Sequence, residues 1–530
     1  ETVQRHSSRL FETSDALAGE GGSLVFTGGE DDPDTIETLT RMGFRQPSEV
    51  SATIRGWHFG RYPATRTRRA REDLTELMPA LLSALSRDGD PDRAFTDFDR
   101  FLSGLGSGVQ LFAMLKANPG LLALIARILG TAPRLAEGLS RRPRVLEAVL
   151  EPGFFDHLPS REQLQASADS ILPLDLPLEE AMDRARVLGR EQQFRVGVRV
   201  LSDTVSAEDA GTAFANIADV LIGKLLAACS HDMATRYGAV PTGRVAIIAM
   251  GKLGGREMTA SSDLDLILVY DHADDVLQST GEKPLGVAQY YQRLTQRFIS
   301  ALTVPTAEGL LYEVDMRLRP SGSKGPVAAS FASFKTYHAE SAWTWEKLAL
   351  TRARVVAGDA SLIADVSAAI QTSLAAPRNE AITRKDVVEM RSLMLREHSP
   401  KSAWDIKRSR GGPVELEFMA QFLQLLHAHV RPDILRTNTF AAFEALLGAG
   451  VLSAGHAHRL LEAARLYHRL TQVLRLCLDG TFAPDDALPG LNRAIAQAAQ
   501  VPDVRIAEDL LREHETAISA LFDEIVGKPD

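Results

Sequence analysis

Three stretches decide the fold: Val245-Ala-Ile-Ile-Ala-Met250, Gly251-Lys-Leu-Gly-Gly255 and Asp263-Leu-Asp-Leu-Ile-Leu-Val-Tyr270. The two short apolar runs are typical of buried strands, and the glycine-rich segment between them predicts a turn. A third run, Leu311-Tyr-Glu-Val-Asp-Met-Arg-Leu318, alternates apolar and polar residues and places Asp315 on its polar face. We therefore predict a small sheet built from three strands.

Helical periodicity dominates on both sides of these strands. It continues from about residue 70 to 200, and it predicts a helix over 287–299 and long helices over 414–430 and 454–477. The pattern predicts an α+β fold that is mostly helical, with a small mixed β-sheet domain between helical regions. We predict three domains: a helical region over 1–180, the sheet domain over 181–365 and a C-terminal helical domain over 366–530.

The composition excludes several classes of protein. The 530 residues are 45% hydrophobic and 24% charged, and the net charge of -10 offers no dominant basic stripe for a nucleic acid. The two cysteines, Cys229 and Cys477, form no C-x-x-C pair, which argues against a disulfide framework or a cysteine-based zinc site. We see no apolar run of membrane-spanning length and no signal-peptide pattern. A start at Glu1 predicts a piece of a longer, cytoplasmic protein.

Three aspartates form the candidate catalytic set. Asp263 and Asp265 are two apart on a predicted strand, so their side chains share a face with Cα atoms about 6–7 Å apart. Carboxylate oxygens are ligands that Mg²⁺ prefers, and Asp315 offers a third carboxylate from a predicted neighbouring strand. Three carboxylates suit a two-metal site, although a lone D-x-D motif is as often surface decoration as function.

The phosphates of a nucleotide would lie over the glycine-rich turn. The turn is no Walker A loop, because the G-x-x-x-x-G-K-[ST] pattern is missing. Arg317 has a salt bridge to a carboxylate as its alternative role, and for Lys324 a contact with pyrophosphate is no better supported than solvent exposure. The predicted phosphate-binding residues are Gly251, Lys252, Gly254, Gly255, Ser261, Ser262, Arg317 and Lys324.

Four further residues have a structural interpretation that we favour over a functional one. Trp343 and Trp345 could stack on adenine, but aromatic residues at such spacing more often pack in a core or a domain interface. Glu415 and Glu417 stand in the first turn of a predicted helix, where the helix dipole alone favours acidic residues.

The segment from Gly251 to Ile267 resembles the signature of the glutamine synthetase adenylyltransferase family. Similar matches are Tyr312-Glu-Val-Asp-Met-Arg-Leu-Arg-Pro-Ser-Gly322, Ala342-Trp-Thr-Trp-Glu346 and Gly411-Gly-Pro-Val-Glu-Leu-Glu-Phe418. The resemblance covers most of the chain. It implies one of two related nucleotidyltransferase domains of a bifunctional enzyme, and the copy here looks more like the C-terminal, adenylylating one.

The resemblance also implies a reaction, cofactors and partners. Members move AMP from ATP to a tyrosine of glutamine synthetase with Mg²⁺, and the PII signal protein and glutamine regulate them. Asp263 and Asp265 match the metal-binding pair, Asp315 the third carboxylate, and Gly254 and Gly255 the phosphate-turn glycines. Glu415 departs from the aspartate that the family often has there.

Three alternatives to this function stay open at the level of sequence. The first is phosphorolytic removal of AMP from modified glutamine synthetase. The second is a non-catalytic regulatory binding module, against which the retention of all three aspartates argues. The third is nucleotidyl transfer to a small molecule.

Overall fold

The computed structural model describes most of the chain, namely residues 24–26, 30–87, 89–141, 157–478 and 480–529. Two parts of the first predicted helical region, residues 1–23 and 142–156, lie outside the described residues. The structure is mostly helical with a small mixed sheet, and this confirms the predicted α+β fold.

The chain divides into two compact units. The first comprises residues 1–158, 194–206 and 470–507, and the second comprises 159–193, 207–469 and 508–530. The second unit contains the sheet and every predicted site residue. The division into domains over 1–180, 181–365 and 366–530 stays a prediction.

Ten helices with defined ends precede the sheet in the described residues. Several start at signals that the sequence carries: Asp90 accepts hydrogen bonds from the amides of Asp92 and Arg93, and Ser160 forms a capping box with Gln163. The helices are α1 (Pro33–Arg41), α2 (Pro47–His58), α3 (Arg68–Arg87), α4 (Pro91–Ser103), α5 (Val109–Ala117), α6 (Pro119–Thr131), α7 (Pro133–Arg141), α8 (Arg161–Ile171), α9 (Leu178–Leu201) and α10 (Ala207–Tyr237).

Helix α10 corrects the expectation that no apolar run is long enough for a membrane. Within the described part of the chain it is the one continuous helix that passes by length and composition, with a mean hydropathy of 1.5 over its most apolar window. However, 67% of that window is buried inside the protein, and its buried Asp219 is paired with Arg354. This burial is consistent with the core helix of a soluble protein.

The remaining elements alternate short strands with helices and then become helical. A π-helix, Tyr337–Ser341, follows α13 directly. The elements are β1 (Arg244–Ala249), α11 (Gly251–Gly254), β2 (Leu264–Asp271), α12 (Val287–Thr303), β3 (Val314–Asp315), β4 (Ala328–Ser330), α13 (Phe331–Thr336), α14 (Thr344–Leu350), β5 (Arg354–Gly358), α15 (Ala360–Leu374), α16 (Glu380–Glu397), α17 (Pro413–His427), α18 (Thr439–Gly448), α19 (Ala454–Cys477), α20 (Pro489–Ala499) and α21 (Val504–Ile525).

The sheet has the order β3-β2-β1-β5, with β4 beside the later part of β2. Strand β1 is antiparallel to both β2 and β5, whereas β3 and β4 run parallel to β2. The inner residues Ile247, Ile248, Ile267 and Leu268 are fully buried, as expected for a strand pair covered on both faces.

The predicted third strand is much shorter than expected. Only Val314 and Asp315 pair with β2, although the alternating pattern covers 311–318. Beyond them the buried Arg319 turns the chain, because its guanidinium donates to the carbonyls of Met316 and Pro326 at 2.7 and 3.1 Å. Strands β4 and β5 were not predicted.

Candidate active site

The structure brings Asp265 and Asp315 together. Strands β2 and β3 run parallel, and the two aspartates are opposite each other in the register. The amide of Leu264 donates to the carbonyl of Glu313 at 2.9 Å and fixes that register. Asp263 precedes β2 by one residue and is exposed. The prediction that Asp315 lies on a strand neighbouring Asp265 is therefore confirmed.

The surroundings of Asp265 disfavour its negative charge. Burial raises the pKa of Asp265 to about 6, and the nearby charges of Asp263 and Asp315 act in the same direction. The positive charges of Lys407 and Arg352 oppose this shift. A carboxylate held between two others is therefore the place in this sheet where a cation is most favourable.

The carboxylate of Asp315 is bound to the guanidinium of Arg317, two residues further along the chain. The Nε of Arg317 donates to Asp315 Oδ2 at 2.7 Å, and the backbone amide of Arg317 donates to Oδ1 at 2.7 Å. The hydrogen bond from the guanidinium lowers the pKa of Asp315 below its usual range. Arg317 thus forms the salt bridge that was the alternative to its phosphate contact, and its side chain is 82% exposed.

The residues fit a divalent cation only in part. Among the residues that the structure describes, no three His, Cys, Asp or Glu side chains are gathered closely enough to hold a metal ion. Asp263 and Asp265 are two residues apart, and burial disfavours the negative charge of Asp265, so this pair suits one Mg²⁺. For Asp315 to become a third ligand, its carboxylate has to exchange Arg317 for the metal.

The predicted glycine turn is a short helix, α11. Gly251 has a φ of +53°, and a Cβ there would lie 2.3 Å from Asp265 Oδ2, so the position excludes any side chain. Cβ atoms at Gly254 and Gly255 would lie 1.8 Å from the carbonyl oxygen and 2.6 Å from Nη2 of Arg352. The amides of Gly254 and Gly255 donate to backbone carbonyls. Both glycines thus serve close packing here, and their phosphate contact stays a prediction.

The other predicted phosphate-binding residues differ in their exposure and in whether their side chains already form hydrogen bonds. Ser262 Oγ accepts from the amide of Thr259 at 2.9 Å and so closes a local turn. Within the described residues, Ser261 Oγ is buried without a hydrogen-bond partner. Lys252 is half-buried in α11, and Lys324 is exposed in the 3₁₀ turn Gly322–Lys324.

A buried arginine behind α11 was not predicted. Arg352 binds Glu257 at 3.1 Å and Glu417 at 2.9 Å, which ties α17 to the segment that follows the glycines. Glu417 therefore reaches the site through Arg352, while Glu415 is buried against Arg391. In the sequence Arg352 stands in the short run Arg352-Ala-Arg354, which carries no chemical signal of its own.

Lys407 is a second residue that sequence reasoning missed. It is exposed in the loop before α17, and its positive charge lowers the pKa of Asp265 against the effect of burial. Because Glu417 fixes the start of α17 to Arg352, the loop that carries Lys407 is held near the aspartates. A lone lysine in a basic loop offers no signal that could have singled it out.

The interpretation of the two tryptophans as core residues was wrong. Trp343 is 70% and Trp345 is 41% exposed. The turn before α14 is nevertheless well fixed, because buried Glu346 accepts hydrogen bonds from the Trp343 amide at 2.8 Å and from the Tyr337 hydroxyl at 2.7 Å. Trp343 is thus exposed directly before α14, and Trp345 is exposed on the first turn of that helix.

Comparison with known proteins identifies the relatives of this chain. The family described as glutamate-ammonia ligase adenylyltransferase matches residues 122–369, which include all three aspartates. The family described as GlnD PII-uridylyltransferase matches residues 382–525.

This chain is a relative of the glutamine synthetase adenylyltransferases. It is 46% identical over 528 residues to a protein of Rhizobium meliloti, 45% over 530 residues to one of Agrobacterium fabrum and 41% over 530 residues to one of Rhodopseudomonas palustris. Each is named bifunctional glutamine synthetase adenylyltransferase/adenylyl-removing enzyme. The matches cover 99%, 99% and 100% of this chain and 53%, 53% and 54% of those proteins. The chain thus spans about half the length of the relatives, and the comparisons confirm the predicted family relationship.

Proposed function

We propose that this chain transfers AMP from ATP to a tyrosine of glutamine synthetase and releases pyrophosphate; adenylyl transfer to glutamine synthetase is one of the two activities in the name of its relatives. The observation that carries the proposal is the pairing of Asp265 with Asp315 in adjacent strands, next to Asp263 and behind Gly251. Three carboxylates at one end of a sheet suit the in-line displacement at a phosphorus atom.

The residues divide the work as follows. Asp263 and Asp265 hold Mg²⁺, with Asp315 as a further ligand, and the ion supplies charge neutralisation to the phosphates. Asp315 also orients the tyrosine hydroxyl and accepts its proton, which an unperturbed tyrosine with a pKa near 10 gives up reluctantly at about pH 7. Ser261, Lys252 and the glycine segment face the phosphates.

Two basic side chains at the site, Arg317 and Lys324, would bind the triphosphate. Arg317, whose side chain is 82% exposed beside Asp315, would be available to a phosphate oxygen if Asp315 held a metal instead. Lys324 is exposed, and together with Arg317 it would compensate the charge of the leaving pyrophosphate. Positioning and electrostatic stabilisation would then provide most of the catalysis.

The exposed indoles favour a protein as acceptor over a small molecule. Tryptophan is enriched among the residues that dominate protein interfaces. Trp343 is exposed directly before α14, where its amide donates to Glu346, and Trp345 is exposed on the first turn of that helix. We also propose a cytoplasmic location, and regulation by the PII signal protein and glutamine, which the match to a PII-uridylyltransferase family supports without locating either site.

The test is a transfer assay run in both directions. Unmodified glutamine synthetase is incubated with Mg²⁺ and ATP labelled at the α-phosphate, and AMP-modified glutamine synthetase is incubated with phosphate. We expect label on the first protein and no ADP from the second.

ADP from the second reaction without label in the first would move the assignment to phosphorolytic removal of AMP. If the wild-type chain gave neither label nor ADP but still bound glutamine synthetase, the result would instead favour a binding module. In either case the proposed direction would be wrong.

A further inference from the structure

Three basic side chains lie together in the second unit without an acidic partner. His338 belongs to the π-helix, Lys347 to α14, and Arg378 to the connection between α15 and α16. Among the described residues, no carboxylate forms a salt bridge with Lys347 or Arg378. A cluster of cations without a counter-ion is unfavourable in a folded protein unless something else supplies the negative charge.

Hydrogen bonds through Ser373 link the segments that carry His338 and Arg378. Arg378 Nη2 donates to the carbonyl of Ser373 at 2.7 Å, and the hydroxyl of Ser373 donates to the carbonyl of His338 at 3.3 Å. Lys347 is one residue beyond Glu346, which holds the π-helix through Tyr337. Three separate elements therefore place basic groups close enough together for their charges to act on one another.

The polar atoms of this cluster are buried and unused. His338 is 4% exposed, and neither of its ring nitrogens has a hydrogen-bond partner in the described residues. Arg378 Nε is also buried without a partner. Such groups in a native protein call for an explanation, of which an absent ion is one. A π-helix, which is often found at functional sites, carries His338.

The electrostatics agree with this proximity. Burial lowers the pKa of His338 to about 4, and the charge of Lys347 adds to the effect. Burial likewise lowers the pKa of Lys347, with Arg378 as the next cause. The closest acid is Glu346, but its two oxygens already accept from the Tyr337 hydroxyl and the Trp343 amide.

We propose that His338, Lys347 and Arg378 bind a dianionic oxyanion of the phosphate class. Two cations balance two negative charges, and a neutral imidazole adds one donor for a further oxygen. Several separate donors suit a polyatomic oxyanion, whose oxygens accept directional hydrogen bonds, better than chloride. The source is free phosphate or the phosphate group of a metabolite. This site is distinct from the aspartates and goes beyond the proposed function.

The test is phosphate binding measured by calorimetry in buffer without magnesium, against chloride at equal ionic strength. We expect the Lys347→Met and Arg378→Gln substitutions to weaken phosphate binding by about tenfold or more, because each removes a charge-assisted hydrogen bond. Lys335→Met, at an exposed lysine of α13, serves as a matched control and should bind phosphate like the wild type.

Three results would overturn the proposal: no phosphate binding above chloride, unchanged binding in Lys347→Met, or loss of binding in Lys335→Met. Thermal melting in chloride checks the fold, and Lys347→Met should melt no lower than the wild type because it removes a desolvated cation. Glycerol 3-phosphate distinguishes the sources: tighter binding than phosphate indicates a phosphate ester, and weaker binding indicates the free ion.

Discussion

At the scale of single residues, the partly buried carboxyl of Asp265 lowers the stability of the folded protein when it is ionised. Its surroundings raise its pKa from 3.8 to about 6, so the folded state disfavours the ionised form. Because the pKa of Asp265 is raised in the folded state, the protein keeps its full stability below about pH 4. It loses stability as the pH rises through about 6 and the buried carboxyl ionises. A neutral side chain at this position avoids that loss.

We therefore expect Asp265→Asn to stabilise the metal-free protein while it abolishes activity. Above pH 6 the gain in the free energy of unfolding should be on the order of 1–3 kcal/mol, and it should vanish below about pH 4. Urea unfolding in EDTA across this range measures it. The exposed Asp274→Asn substitution carries the same change of charge and should have little effect at any pH; an equal gain in both variants would contradict the explanation.

The residues that sequence reasoning identified are those whose chemistry shows in their spacing. Asp263, Asp265 and Asp315 stand on patterned strands, and the structure pairs the last two as expected. Arg352 and Lys407 act through contacts that link α17 and its preceding loop to the sheet, and nothing in their local sequence indicates them. The exposure of the two tryptophans depends on the same tertiary packing.

At the scale of elements, the contact between α17 and the glycine segment depends on one buried guanidinium. Arg352 compensates two carboxylates, and desolvation raises the pKa of Glu257 against the opposing charge of Arg352. Removal of a buried cation leaves its acidic partners uncompensated. The link is therefore more costly to break than a surface ion pair.

We expect Arg352→Met to lower the free energy of unfolding by about 3–5 kcal/mol. Arg512→Met is the matched control, because Arg512 forms an exposed pair with Glu508 and its loss should change the free energy of unfolding far less. Urea denaturation followed by circular dichroism measures both. Equal losses in the two variants would show that Arg352 does not bear the link.

The loop before α17 should contribute to nucleotide binding through Lys407. Arg317 and Arg352 are engaged with carboxylates, whereas Lys407 is exposed and its charge acts on Asp265. We expect Lys407→Ala to raise the KM for ATP by about tenfold with a smaller change in kcat. Lys401→Ala, at an exposed lysine six residues earlier in the sequence, is the control. An unchanged KM for ATP in Lys407→Ala would show that Lys407 does not contribute to nucleotide binding.

Elements were predictable where periodicity was long. Helix α19 has the predicted bounds, and β1 and β2 lie within one residue of them. The three-residue β4 is too short to show a period, and β3 is cut short by Arg319, whose bonds to loop carbonyls override the alternating pattern. The predicted glycine turn became α11 because packing against Arg352 holds Gly254 and Gly255 in helical form.

At the scale of the whole molecule, the pattern of apolar residues predicted the fold class but not the compact units. The second unit collects residues from three separate stretches of the chain, and such long-range grouping leaves no local trace in the sequence. The net charge of -10 is consistent with the proposed nucleotide substrate rather than a nucleic acid.

The central claim is that the aspartates of β2 and β3 transfer AMP to a protein tyrosine. Mass spectrometry of glutamine synthetase after incubation with ATP and Mg²⁺ tests it most directly, with the wild-type chain beside Asp265→Asn and Asp274→Asn. We predict one added AMP per modified subunit with the wild type and with Asp274→Asn, and none with Asp265→Asn. Modification that persists in Asp265→Asn would contradict the account.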